Sequence, residues 1–268
     1  MKQLKFLMVA FTLLMGVSLT SCLNSDPGEN AYDGFGYVRV KMGMFFEDTN
    51  GNTYYPTSSS VDEMEKNQGF KMSGTDLAYI VFKNVEETPA TKATGKPQSF
   101  RIKLVSATAV DSYEAERASS VEDMESMVTE NAPIVTLEPM ANNGQVYKPW
   151  MYGTQMLVLP ISWKMENKQE TLAQHRFSLV YVENDEAQSD TELVFYLRHD
   201  KGTDTKTEVF AVREKAFDVT YIMEEFKLKN GSYPEKITIK AKTDEEGKEL
   251  PEKYTDYSIT PKWDNESK

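Results

Sequence analysis

From Tyr37 to Trp263 the chain is mostly a series of short strand-like stretches separated by turn-forming residues, and several of them alternate apolar and polar residues. A period of two puts successive side chains on opposite sides of a strand, so an alternating stretch reads as a strand with one wet and one buried face. Tyr37-Val38-Arg39-Val40-Lys41-Met42 alternates in this way, and Phe100, Ile102 and Leu104 alternate with Arg101 and Lys103 in a strand expected over 99–110. Asn50-Gly51 lies between Met44-Phe45-Phe46 and Tyr54-Tyr55, which predicts a tight hairpin. Asp48 to Asn52 lacks the further ligand spacing and closing Glu of a calcium loop. Ser60 with Glu63, and Ser119 with Glu122, read as capping boxes that open short helices. Val61 and Met64 share a face of the first helix, and Val121, Met124 and Val128 a face of the second. With one more strand near 78–85, the first part carries about five β segments and a helix between the third and fourth. That is the order of a five-stranded, partly open OB-type barrel.

Beyond Pro133, strands are expected over 134–137, 155–163, 175–182, 192–199 and 207–212. A helix is expected from Asp218 to about Lys229, stopped by Asn230-Gly231. A strand over 236–243 and another marked by Tyr257, Ile259 and Trp263 complete the series. Several short strands with regular turns predict a β-sandwich. Apolar and aromatic content is that of a globular protein.

The beginning of the chain has a different grammar. Lys2 and Lys5 precede an apolar run from Phe6 to Val17, and small residues then lead to Cys22, the only cysteine. This is the order of a secretory signal peptide, and the run is too short for a bilayer-spanning helix. Leu19-Thr20-Ser21-Cys22 resembles a lipobox, which implies cleavage before Cys22 and acylation of its thiol. Two or more acyl chains anchor a protein stably, so Cys22 is the expected lipid attachment to the membrane. Removing residues 1–21 takes away two lysines and no acid, which moves the net charge from −12 to −14. So acidic a body repels phosphate backbones, and no nucleic-acid partner is expected. No thiol remains for disulfides, so stability must come from packed cores. The expected location is the cell envelope, with the lipid anchor in the outer membrane; Asp26 and Glu29 match an outward-directing acidic run only in part.

Residues that could carry chemistry are few. The chain has two histidines, His175 and His199. Asp200 follows His199, but neighbours on a strand point to opposite faces, which argues against a relay between them and favours a hydrogen-bonding role at a hairpin end. There is no Gly-x-Ser-x-Gly elbow, no paired His/Cys spacing for zinc and no glycine-rich phosphate loop, so neither catalytic residues, a metal nor a cofactor is expected. Acids cluster at 183–192 and 244–249, in stretches that read as solvated turns. Among the tryptophans, Trp163 closes an apolar strand and reads as core. Trp150, in Lys148-Pro149-Trp150, is the candidate for exposure and ligand binding.

Three tracts resemble those of NigD-like lipoproteins: Met156-Leu157-Val158-Leu159-Pro160-Ile161-Ser162-Trp163-Lys164-Met165-Glu166-Asn167, Tyr196-Leu197-Arg198-His199-Asp200-Lys201-Gly202, and Asn52-Thr53-Tyr54-Tyr55-Pro56. The resemblance implies a Gram-negative lipoprotein with an N-terminal OB-like domain and a C-terminal β-sandwich, an association with bacteriocin production, and no established catalytic residues. It also supplies a boundary near Asp111. The expected organisation is a signal peptide over 1–21, a tether over 22–33, an OB-like domain over 34–111, a sandwich over 112–264 and a tail over 265–268. The expected function is a non-catalytic, lipid-anchored envelope protein that binds an unknown envelope protein or glycan. The alternatives are a surface carbohydrate-binding module and a carboxylate-dependent envelope hydrolase, which would need two facing acids about 5–9 Å apart in a cleft.

Overall fold

The structure, a computed structural model, describes residues 32–85 and 97–263. Cys22 and nearly all of the tether lie outside them. The protein is mostly β, an OB-like barrel followed by a sandwich, and its described part divides into two compact units that change over between Ser112 and Tyr113.

The barrel is formed by β1 (Gly34–Lys41), β2 (Phe45–Glu47), β3 (Thr53–Pro56), β4 (Leu77–Asn84) and β5 (Ser99–Glu114), with helix α1 (Ser58–Gln68) between β3 and β4. Its strand order is β3–β2–β1–β4–β5, and a parallel pairing of β3 with β5 closes the ring and removes the sheet edges. The expected hairpin joins β2 to β3, with Glu47 opposite Thr53. Its turn is held by the Asp48 carboxylate, which accepts from the Asn50 and Asn52 amides and from the Tyr54 hydroxyl. Val38, Phe46, Ile80, Ile102 and Leu104 fill the interior together with Met64 of α1. Gln68, the last residue of α1, accepts from the Ala107 amide. That amide lies two residues beyond Val105, which is left unpaired where Val81 faces Ser106 but Phe82 faces Leu104, so the bond ties the end of α1 to the strand beside its bulge.

The sequence placed the first helix cap wrongly. The N-cap is Thr57, and Ser60 lies buried in the first turn with its hydroxyl donating back to the Thr57 carbonyl. In the second helix the cap is Ser120 rather than Ser119. Val121 is consequently the first helical residue and is exposed, while Met124 is fully buried.

The second unit contains β6 (Glu116–Ala118), α2 (Val121–Met127), β7 (Trp150–Tyr152), β8 (Met156–Met165), α3 (Gln169–Leu172), β9 (Arg176–Val182), β10 (Glu192–Asp200), β11 (Val209–Asp218), α4 (Thr220–Asn230), β12 (Lys236–Ala241) and β13 (Thr255–Ile259). One layer has the order β11–β8–β7, the other β13–β12–β10–β9–β6. Leu157, Leu159, Ile161 and Trp163 of β8 meet Phe177, Leu193, Phe195, Ile237 and Ile239 from the five-stranded layer, and Ile222, Met223 and Phe226 of α4 join them. The outer face of the five-stranded sheet is also covered: Val180, Val182, Val194 and Tyr196 pack against Met124 and Val128. Pro160 is tolerated inside β8 because its missing N–H falls in a gap. β7 pairs only as far as Val158, and the next bond on that side runs from the Ser162 amide to the Thr136 carbonyl.

The strand expected over 134–137 is instead two single bridges, Ile134 to Thr243 and Thr136 to Ser162. The segment crosses from one layer to the other and lends each a single pairing, which its alternation alone does not reveal. Ile239 is fully buried in the sandwich core. Ile239→Ala should cost about 2–5 kcal/mol in urea unfolding, and a loss within experimental error would contradict this assignment of the inner face.

Candidate functional site

Alternation along β10 sends Leu193, Phe195, Leu197 and His199 inward and Val194, Tyr196 and Arg198 outward. His199 therefore enters the core beside Phe177, its partner across the strand pair, and stacks on that ring at 4.4 Å and 14°. His199 Nδ1 lies 3.0 Å from the Pro133 carbonyl, and its Nε2 lies 2.8 Å from His175 Nδ1. His175 Nε2 in turn lies 3.0 Å from Asp204 Oδ2. Asp204 also accepts the backbone N–H groups of Glu166 and Lys206, each at 2.8 Å. The exposures of His175, His199 and Asp204 are 5, 1 and 5 %. Both histidines of the chain are thus enclosed in one buried polar chain, bounded by the Trp163 ring at 5.8 and 6.3 Å.

Burial pushes the His199 imidazole down to about 3. It pushes His175 down as well, against the pull of Asp204. Burial alone would raise the Asp204 carboxyl, but the Lys206 and Glu166 amides and His175 hold it below its ordinary value. The two rings are accordingly neutral at neutral pH. Each then carries one N–H, so two protons serve three contacts whose outer ends, a carboxylate and a carbonyl, can only accept.

Arg198, on the opposite face of β10, meets a second buried carboxylate. Glu130 Oε2 lies 2.9 Å from Lys242 Nζ and 3.6 Å from Arg198 Nη2, with the Glu130 side chain 2 % exposed. One carboxylate thus sits between two cations, and both are buried or nearly so. A third charged group lies nearer the surface, where Arg117 Nη2 bridges Glu225 at 2.7 Å and Glu183 at 3.2 Å, with the guanidinium over the Tyr181 and Tyr221 rings. A groove of about 230 Å³ runs past Glu183 and Glu225. It is smaller than usual small-molecule pockets, and Arg117 already spans its two carboxylates. Of its amides, Asn184 donates to the Ser119 carbonyl, and Gln188 bonds the backbone of Val182 and Val194.

Trp150 is half-buried at the start of β7, edge-on to Tyr152 at 6.3 Å and 67°. Trp163 is 1 % exposed. On the barrel, Tyr32, Phe35, Tyr79 and Tyr37 form a row, but two of its three contacts are edge-on, at 74° and 79°, so the rings do not form a flat stacking platform. The acids at 244–249 form a closed turn in which Asp244 accepts the Lys248 and Glu249 amides. Sequence reading missed the buried chain because Asp204 is four residues beyond the neighbour that drew attention, Asp200, and His175 reaches His199 only through strand pairing. The available signal was that the chain's two histidines fall at the ends of two successive apolar strands.

No family model matches the chain, and no curated protein does so either. Several solved structures share its fold. A protein from Bacteroides fragilis described as a "Putative lipoprotein" is 24% identical, with a TM-score of 0.63 over 86% of this chain and 97% of that one. A protein of unknown function from Bacteroides vulgatus is 10% identical, with a TM-score of 0.50 over 87% and 91%. A NigD-like immunity protein from Bacteroides caccae is 13% identical, with a TM-score of 0.45 over 87% and 94%. The likeness to the first two of these structures is one of fold.

The sign of the pH dependence follows from the lowered imidazoles. The unfolded chain takes up protons near pH 6.5 while the folded chain resists them, so stability falls as pH drops below about 6.5, by at most about 1.4 kcal/mol per pH unit for each histidine. His199→Gln should flatten this fall between pH 7.5 and 5 in denaturant titrations. An identical slope in the variant would contradict the burial argument.

Proposed function

We propose that the protein is a non-catalytic, lipid-anchored interaction protein of the cell envelope, of the NigD-like type, attached through Cys22 to the outer membrane. The observation that carries the non-catalytic part is the position of the histidines. Both are enclosed in the sandwich core and bonded to each other, to Asp204 and to a backbone carbonyl, so neither is placed to exchange protons with a substrate. The two carboxylates that line the groove, Glu183 and Glu225, are both paired with Arg117. The anchoring part rests on the signal-peptide grammar and the lipobox-like residues before Cys22. The bacteriocin association comes from the likeness of the sequence tracts to the family. Trp150 is the aromatic residue we assign to a glycan or protein contact, since it is the tryptophan at a sheet edge that retains exposure at the start of β7.

Labelling cells with an alkyne fatty acid should mark the wild type and leave Cys22→Ala unlabelled. Cross-linking in those cells should then recover an envelope partner with the wild type that is lost when the variant is released from the membrane. Equal labelling of both proteins would refute the anchor, and recovery of a turned-over substrate in place of a stable partner would refute the non-catalytic reading.

A further inference from the structure

The buried chain has a proton count that does not close. Its ends, the Asp204 carboxylate and the Pro133 carbonyl, are both acceptors, and the three contacts between them span 3.0, 2.8 and 3.0 Å. Each contact at these separations is a hydrogen bond only if a proton lies in it. Two neutral imidazoles supply two, so one contact sets lone pair against lone pair. We propose that Asp204, His175 and His199 form a one-proton site: together they bind a single proton beyond the two of the neutral rings, and it completes the chain.

Uptake puts a proton in every contact, and with the Asp204 carboxylate kept ionised by the Glu166 and Lys206 amides the bonding follows. His175 donates from Nε2 to Asp204, a proton lies between His175 Nδ1 and His199 Nε2, and His199 donates from Nδ1 to Pro133. The pair then carries one positive charge directly beside one carboxylate, so the cluster as a whole is neutral, the arrangement that a dry site tolerates best. A second proton would place two imidazolium rings with their nitrogens 2.8 Å apart, which excludes it. Other charges around the site do not supply the missing proton. Asp200 and Lys201 stand at the end of β10, and the Asp200 carboxylate accepts from Asn131 and the Gly202 amide. Glu166, following β8, is paired with Lys168 and Lys206. Arg176 on β9 and Glu170 on α3 are exposed. β8 and β9 face the rings with Trp163 and Phe177, and the 131–133 segment faces them with a carbonyl. Burial sets the uptake below the ordinary imidazole range without removing the site.

The test uses the full chain labelled with 15N-histidine, whose two histidines give two ring spin systems. In the folded protein both rings should titrate with one shared midpoint and gain one imidazolium between them. Asp204→Asn should move that midpoint down by about one to three pH units. Should that variant not fold, the wild type alone decides. Below the shared midpoint, the ring shifts of the folded wild type should show one imidazolium shared between the two residues, against two in the unfolded chain. Two full imidazoliums in the folded protein, or no uptake before global unfolding, would overturn the proposal.

Discussion

The end of the sandwich is held by a single buried carboxylate. Asp204 sits in the loop after β10, yet it accepts from the Glu166 amide beyond β8, from the Lys206 amide in its own loop and from His175 at the entrance to β9. Through His175 it reaches His199 on β10 and then the Pro133 carbonyl on the segment that crosses between the layers. That segment is tied a second time, since the Asn131 amide donates to the His199 carbonyl and its side chain bonds Asp200 and Lys201. Removing one member would leave the others desolvated and unpaired, which costs far more than the bond is worth when made.

β10 organises both faces of its sheet. Its inward residues build the main core with β8 and β12, and its outward ones meet α2 and the Glu130 carboxylate. Near its C-terminal end polar groups enter both faces at once, where Arg198 and His199 follow one another and point to opposite sides. Each is matched by an acid from a neighbouring loop, Glu130 for Arg198 and Asp204, by way of His175, for His199. A buried acid set against a cation or an imidazole chain is weak evidence for added stability but a strong constraint on how segments join. The reading of this protein as an interaction module rests on the same fact: the residues best suited to chemistry hold the fold together.

Much of the architecture was legible. Period-two alternation located β1, β5 and β12, apolar runs between polar turns located β8, β9 and β10, Asn50-Gly51 located the barrel hairpin, and Gly231 in the left-handed region ends α4 where Asn230-Gly231 predicted. Short elements escaped because three-residue strands such as β6 and β7 carry too few positions for a period. The 134–137 segment misled because two isolated bridges leave the same alternation as a strand. At Ser60 and Ser119 the hydroxyl chemistry of a helix start was present, but neighbouring Ser and Thr residues offered equivalent caps and tertiary packing chose among them. The buried site was illegible for a different reason. Its members are joined by sheet register and by a loop that folds back, and no spacing in the sequence encodes either.

The central claim is that Asp204 and His175 act as one unit at the joint of the sandwich. A double-mutant cycle measures this directly, using Asp204→Asn, His175→Gln and the pair in equilibrium unfolding at pH 7.5. A coupling of about 1–3 kcal/mol between the two changes is expected for residues in one buried network. Additive losses, with the double variant destabilised by the full sum of the single ones, would contradict the account.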